Sequence, residues 1–127
     1  MTSAATGRIL LVEDDEGTRG MFETVLSDAG YVVQATGSGA GALTRLRSEP
    51  FDLVVLDLML PRISGPEVLD AIHKGSGTAQ LPVIVVTGAT LNQRELGSLN
   101  VVTMLRKPVD PDDLVDAVYL ALHGRRE

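Results

Sequence analysis

The amino-acid sequence predicts an α/β domain in which a parallel sheet is covered by helices on both faces. Five short runs are apolar throughout, which is typical of strands that are buried on both faces. Between them lie stretches with apolar residues three and four positions apart, the spacing of amphipathic helices. Because strand and helix alternate along the chain, we expect parallel strands joined by right-handed helical crossovers, which is a doubly wound arrangement.

The predicted strands are rich in valine, isoleucine and leucine, and β-branched residues fit the pleated surface of a sheet. No polar residue interrupts them, so both faces of each strand are expected to be covered. The five runs are residues 9–12, 31–33, 53–56, 83–86 and 101–102.

The first two predicted helices separate the first three strands. Helical spacing extends over residues 21–29, and Gly30 is expected to end that helix in the left-handed conformation. The second helix is expected over residues 38–48, where Gly39 and Gly41 lower the helix propensity.

The third predicted helix has a clear start signal. Ser64 and Glu67 form a capping-box pattern, in which the hydroxyl and the carboxylate satisfy free amides, and Pro66 lies in the first turn, where no donor is missed. Gly75 or Gly77 is expected to end this helix in the left-handed conformation.

The last two helices differ in the strength of their patterns. A fourth helix near residues 91–96 has the weakest pattern of the five. The last helix is expected to begin at Asp110, because a cap, an early proline and two further acids all complement the positive end of a helix.

Composition limits both the organisation and the function of the chain. With 127 residues, of which 44% are hydrophobic and 22% charged, we expect a single domain over residues 1–127, with a core at about residues 8–122 and short flexible termini. The absence of cysteine excludes disulfide frameworks and thiolate metal sites. A formal charge of −6 disfavours direct nucleic-acid binding, and no apolar run suits a signal peptide or a membrane span. We therefore expect a cytoplasmic protein without membrane contact.

Polar residues follow four of the predicted strands. Parallel strands share one direction, so their carboxyl ends lie at one edge of the sheet, which is where ligands bind in such folds. Residues far apart in the sequence can therefore converge there. The residues are Glu13, Asp14 and Asp15 after the first strand, Asp57 after the third, Thr87 after the fourth and Lys107 after the fifth.

The acids predict a site for a divalent cation. One of Asp14 and Asp15 could instead cap the following helix, which is the usual role of an acid at such a turn. Several carboxylates about 4 to 5 Å apart, however, would repel one another by roughly 3 to 4 kcal/mol per pair at an effective dielectric constant of about 20. A hard cation such as Mg²⁺, which prefers carboxylate, water and phosphate oxygens, would neutralise them.

Lys107 and Thr87 suit a phosphate beside that cation. Lys107 supplies a point charge for a phosphate or for a salt bridge to the acids, and both roles are compatible. Thr87 is either an ordinary β-branched strand residue or a hydroxyl directed at the site, and Gly88 leaves room for an approaching group. Neither Lys107 nor Thr87 alone indicates phosphate chemistry, but together with the acids they do.

In this order and at these strand ends, the motifs resemble the receiver domain of bacterial two-component response regulators. The resemblance covers the chain from about Arg8 to Leu122 and implies a flavodoxin-like sheet of strand order 2-1-3-4-5 with five helices. The matching motifs are Ile-Leu-Leu-Val-Glu-Asp-Asp at residues 9–15, Asp57 to Pro61 with Gly65, Val86-Thr87-Gly88, and Lys107-Pro108.

This resemblance implies a function for each site residue. Asp57 would be the nucleophile that accepts a phosphoryl group from the phosphohistidine of a sensor histidine kinase or a phosphotransfer protein. Thr87 and Lys107 would contact the phosphoryl oxygens, and the peptide bond between Lys107 and Pro108 would be cis. The ligands implied for Mg²⁺ are Glu13, Asp14, Asp57 and the main-chain carbonyl of Met59.

The implied activity is that of a switch rather than of an enzyme with a small-molecule substrate. Phosphorylation would change the surface around the fourth helix, the fifth strand and the fifth helix, and so regulate an output partner. Met59, two residues after Asp57, cannot orient a water, which predicts self-dephosphorylation slower than in relatives with a polar residue there. Met104 departs from the family pattern, since it replaces the aromatic residue that usually changes rotamer on activation.

Other functions are weighed against this one. Met104, in place of the aromatic switch, suggests one alternative, an interaction module with an intact site whose output does not depend on phosphorylation. A phosphatase of the haloacid dehalogenase type is disfavoured, because Met59 stands where those enzymes place a second Asp. A flavodoxin is disfavoured, because the acids at residues 13–15 would repel a flavin phosphate. The kinase, the stimulus, the output partner and a phosphorylation-dependent homodimer are left open.

Overall fold

The computed structural model describes residues 7–88 and 101–123, and these ranges contain five strands and four helices. The predicted helix near residues 91–96 and most of the expected flexible ends lie outside the described residues. The elements, in chain order, are β1 (Arg8–Val12), α1 (Glu16–Asp28), β2 (Val32–Thr36), α2 (Gly39–Ser48), β3 (Leu53–Asp57), α3 (Gly65–Lys74), β4 (Val83–Thr87), β5 (Thr103–Arg106) and α4 (Pro111–His123).

All neighbouring strands pair in parallel, in the order β2-β1-β3-β4-β5. This confirms the strand order that the resemblance implied. The central strand β3 lies between β1 and β4, with Leu56 opposite both Val12 and Val85. The ends of these three strands therefore lie side by side.

The core forms one layer on each face of the sheet, which confirms the doubly wound arrangement. Alternate residues of β1 and β3 point to opposite faces, as Leu10 and Val54 do on one and Ile9 and Val55 on the other. The first face is covered by α2 and α3, and the second by α1 and α4. Within the described ranges, no helix is long and apolar enough to cross a membrane.

The predicted starts of α3 and α4 are confirmed, since α3 has its capping box and α4 begins directly after Asp110. The helix α1 begins at Glu16, earlier than the spacing over residues 21–29 predicts. Asp15 caps α1, with its carboxylate accepting from the Thr18 amide at 2.9 Å. At α3 the Glu67 amide donates to Ser64 Oγ at 3.3 Å, and the Ser64 amide donates to the Glu67 carboxylate at 2.9 Å. Of the two glycines expected at the end of α3, Gly75 caps the helix with an extended backbone, whereas Gly77 has the positive φ of the left-handed region, at 87°.

The fifth strand begins two residues later in the chain than the sequence predicts. It runs from Thr103 to Arg106, and the predicted residues Val101 and Val102 precede it. The Val102 side chain is exposed, although its amide donates to the Val83 carbonyl at 3.0 Å. In the sheet formed by the described residues, β5 lies at the edge next to β4, and its residues are at most partly buried. A search for uninterrupted apolar runs therefore misses it.

Candidate functional site

The predicted site residues lie at one edge of the sheet. Glu13 directly follows β1, Asp57 is the last residue of β3, Thr87 is the last residue of β4, and Lys107 directly follows β5. Because the strands are parallel and β3 lies between β1 and β4, these ends are neighbours. The sheet topology therefore brings together residues that are up to 94 positions apart in the chain.

Three carboxylates form a cluster at this edge. Glu13, Asp14 and Asp57 each offer an oxygen, and these oxygens all lie within 4.8 Å of one another. Glu13 is 1% exposed and Asp57 is 3% exposed, whereas Asp14 is exposed to solvent. At such distances two ionised carboxylates repel by about 3 kcal/mol at an effective dielectric constant of about 20, and by less where water screens Asp14.

Lys107 bridges the two buried acids. Its Nζ lies 3.0 Å from Asp57 Oδ2 and 3.0 Å from Glu13 Oε1. The Lys107 amide donates to the Thr87 carbonyl at 2.9 Å, and the Lys107–Pro108 peptide bond is cis, as the resemblance implied. The ammonium is thus held over the end of β3 from a strand two positions away in the sheet.

Burial and hydrogen bonding shift the pKa values of Lys107 and Glu13. Burial alone would lower the pKa of Lys107, but its hydrogen bonds to Glu13 and Asp57 outweigh burial and raise it. Burial raises the pKa of Glu13, against the hydrogen bonds from Lys107 and from the Asp15 amide. Lys107 is therefore positively charged, and its charge stabilises the carboxylates of Glu13 and Asp57.

Asp57 is also held by the chain that follows it. The Met59 amide donates to Asp57 Oδ1 at 2.9 Å and Lys107 donates to Oδ2, so both carboxylate oxygens of Asp57 accept hydrogen bonds. The Met59 side chain is 61% exposed and therefore contributes little to the core. Thr87 is completely buried at the end of β4, next to the exposed Gly88.

The donor set fits a hard divalent cation. The cluster sets three carboxyl groups against one ammonium, and clustered carboxylate oxygens are the ligand type that Mg²⁺ prefers. Asp15 contributes instead to the start of α1, so the alternative between Asp14 and Asp15 as the helix cap is resolved in favour of Asp15. That leaves Asp14 for the cluster.

One residue of the site was not predicted from the sequence. Arg19, at the end of the first turn of α1, donates from Nη1 to the main-chain carbonyl of Glu13 at 3.0 Å. The same nitrogen lies 3.4 Å from the carbonyl oxygen of Asp14. The only signal in the sequence was an arginine one turn into a helix that follows an acidic loop.

Comparison of the sequence with protein families gives one match over most of the chain. Residues 9–119 match the response regulator receiver domain. The matched range contains every candidate site residue named above.

Curated relatives agree with this match. The chain is 30% identical to the response regulator ArlR of Staphylococcus epidermidis over 116 residues, which is 90% of this chain and 52% of ArlR. It is 29% identical to the sensor histidine kinase GacS of Pseudomonas protegens over 121 residues, which is 91% of this chain and 13% of GacS. The chain thus spans about half the length of ArlR, and a much smaller part of GacS.

Solved structures share the fold over nearly the full chain. The chemotaxis response regulator CheY4 of Vibrio cholerae superposes with a TM-score of 0.86 at 27% identity, covering 93% of this chain and 100% of CheY4. A CheY-like receiver domain protein from Methanospirillum hungatei gives a TM-score of 0.85 at 30% identity, with 94% and 95% covered.

Proposed function

This chain belongs to the response regulator receiver domain family, and from that premise we propose that Asp57 is the residue at which it is phosphorylated. Members of the family are phosphorylation-controlled signalling switches and are generally not classed as enzymes. The donor in this proposal is the phosphohistidine of a sensor histidine kinase or of a phosphotransfer protein. We further propose that residues 1–127 contain one receiver domain.

The contact that carries the proposal is the position of Lys107 Nζ, 3.0 Å from Asp57 Oδ2 at the end of the central strand. Phosphoryl transfer depends mainly on in-line positioning and on neutralising the charge of the equatorial oxygens. An ammonium already held at the nucleophile supports this role. The Thr87 hydroxyl, at the end of the adjacent strand β4, is the second group proposed to contact a phosphoryl oxygen.

The proposed step exchanges one bond for another at phosphorus. A carboxylate oxygen of Asp57 attacks the phosphorus of the phosphohistidine, an O–P bond forms, and the N–P bond breaks. The imidazole leaves with the electron pair of that bond and takes up a proton from solvent. The product is an acyl phosphate on Asp57, which carries more negative charge than the free carboxylate.

Mg²⁺ fits the acidic cluster, and the residues proposed to hold it are Glu13, Asp14, Asp57 and the main-chain carbonyl of Met59. When bound, the ion offsets the negative charge of the carboxylates and of the phosphoryl oxygens. Lys107 would supply further positive charge at Asp57 Oδ2. Self-dephosphorylation at the same site is part of the proposal.

We propose that the response to phosphorylation reaches an output partner through a surface around three elements. These are the helix predicted near residues 91–96, β5, and the last helix, α4. Phosphorylation adds charge next to the end of β4, and β4 pairs with β5. The cytoplasm, where histidine kinases present their phosphohistidine, is the proposed location.

One observation favours a second function, an interaction module with phosphate-independent output. Met104 lies in β5, pairs with Val85 and packs against the core in the place of the family's usual aromatic residue. Methionine is unbranched and adaptable, so it fills this space without a defined rotamer change.

The proposal is tested by incubating the protein with a small phosphodonor, with and without Mg²⁺, and measuring its intact mass. Wild type is expected to gain one phosphoryl group only with Mg²⁺, and Asp57→Asn is expected to gain none. Glu67→Gln, at the α3 capping box, serves as a carboxylate control that should be labelled like wild type. A wild type that stays unlabelled while folded, or an Asp57→Asn protein labelled equally, would contradict the proposal.

A further inference from the structure

Asp14 differs from the other two acids in how its carboxylate is held. Lys107 contacts both Glu13 and Asp57, and main-chain amides donate to each of them as well. In the described part of the chain, by contrast, no group donates a hydrogen bond to the carboxylate of Asp14, which is exposed. The direction of that carboxylate therefore depends on the backbone of Asp14.

Arg19 holds this backbone on both sides. Its Nη1 donates to the carbonyl of Glu13 at 3.0 Å and lies 3.4 Å from the carbonyl oxygen of Asp14. These two carbonyls belong to the peptide groups that flank the Asp14 Cα. A donor shared between them restricts the φ and ψ angles of Asp14, because neither peptide plane can rotate without lengthening a contact.

Gly37, directly after β2, provides the space that the guanidinium occupies. A Cβ at this position would lie 2.9 Å from Arg19 Nη1 and 3.6 Å from Arg19 Cζ. The φ of Gly37 is outside the left-handed range, so its backbone does not require glycine. A side chain at residue 37 would therefore displace the Arg19 guanidinium rather than strain the backbone.

We propose that Arg19 is a positioning residue for Asp14, and that Gly37 makes room for it. By holding the two peptide groups around Asp14, Arg19 directs the carboxylate toward the cation site shared with Glu13 and Asp57. This inference rests on the proposed Mg²⁺ site and assigns a role to two residues outside its ligand set.

The charge of Arg19 and its hydrogen bonds predict opposite effects on cation binding. A guanidinium near the acidic cluster repels Mg²⁺, so its removal would tighten binding if charge alone mattered. Loss of the two carbonyl contacts would loosen Asp14 and weaken binding, as the loss of supporting contacts around metal ligands usually does. The sign of the change in affinity therefore separates the two explanations.

The test measures the Kd for Mg²⁺ by calorimetry for wild type, Arg19→Met, Gly37→Ala and the double variant. Methionine keeps most of the apolar stem and removes the donors. Each single variant is expected to weaken binding by about tenfold, within the range for supporting contacts. The double variant is expected to be no weaker than either single one, because both remove the same contact.

Arg45→Met is the matched control, because the Arg45 guanidinium pairs with Glu49 and Gln34 away from the acidic cluster. It is expected to keep the wild-type Kd even where it lowers the free energy of unfolding. Urea unfolding without metal confirms that each variant is folded.

Three results would overturn the positioning role. These are wild-type or tighter binding by Arg19→Met, independent effects that multiply in the double variant, and equal weakening in Arg45→Met. Such results leave the proposed function intact as long as wild type binds Mg²⁺. A wild type that binds no Mg²⁺ would overturn the proposed function and this inference together.

Discussion

Lys107 is the residue that links the two buried acids of this site. Glu13 and Asp57 come from adjacent strands, and each has an oxygen 3.0 Å from the same ammonium. Removing one partner of a buried ion pair leaves an uncompensated charge. The free-energy cost of that charge exceeds the stability that the intact pair contributes. The three residues therefore act as a unit, and phosphoryl chemistry at Asp57 is proposed to depend on all of them.

Met59 is expected to set the lifetime of the phosphorylated state. Its side chain is exposed two residues after Asp57 and has no group that can orient a water. We predict that Met59→Asn speeds loss of the phosphoryl group by up to about tenfold, which is the upper end of the worth of one ordinary hydrogen bond, here to the attacking water. The decay of the phosphorylated protein, followed by intact mass, measures this rate.

Met59→Leu is the control for this prediction, since it changes shape without adding a polar group. Its decay rate is expected to match that of wild type. Unchanged or slower decay in Met59→Asn would count against a role for this side chain in hydrolysis.

At the scale of elements, the connection from β3 to α3 fixes the position of Asp57. Gly65, the first residue of α3, is buried against this connection, and its amide donates to the Leu58 carbonyl at 3.1 Å. A Cβ at residue 65 would meet the Leu58 Cα and would lie 2.6 Å from the Asp57 carbonyl oxygen. Backbone atoms cannot move aside as a side chain can, so this position requires glycine.

Gly65→Ala is expected to lower the free energy of unfolding by about 2 kcal/mol, the usual cost of forcing extra volume into a packed region. The matched control is Gly20→Ala in the exposed middle of α1, where a Cβ would meet nothing within 4 Å. This change is expected to raise stability by up to about 1 kcal/mol through helix propensity. Urea unfolding measures both variants, and a Gly65→Ala protein as stable as wild type would contradict the account.

How well an element could be predicted depended on its place in the sheet. β1, β3 and β4 are covered on both faces, so their apolar runs identify them directly. β5 is an edge strand, and its residues Thr103 and Arg106 break the apolar pattern. The strand order was not readable from apolar runs, because they do not say which strands are neighbours, and it came from the family resemblance.

For the whole molecule, the candidate site could be predicted only in part. The acids at the strand ends and Lys107 were identifiable because parallel strands bring their ends to one edge. Arg19 was missed because its partners are main-chain carbonyls, which every residue has, so no sequence pattern marks them. Which of Asp14 and Asp15 caps α1 required three-dimensional information.

Whether the phosphoryl signal leaves the site is a question about the whole fold. Beryllofluoride with Mg²⁺ mimics a bound phosphoryl group, and amide chemical shifts report where the structure responds. We expect shifts that extend from the Asp57 edge to Met104 and α4, because β4 links the site to β5. Shifts confined to the loops around the site would instead support the module with phosphate-independent output.

The central claim is that phosphorus is carried as an acyl phosphate on Asp57. The most direct measurement is to phosphorylate the protein with a small donor and Mg²⁺, reduce it with borohydride and map the modified residue by peptide mass spectrometry. An acyl phosphate at residue 57 is reduced to an alcohol, so the account predicts homoserine at that single position. Reduction at another acid, or phosphate retained on a serine, threonine or histidine with none at Asp57, would contradict it.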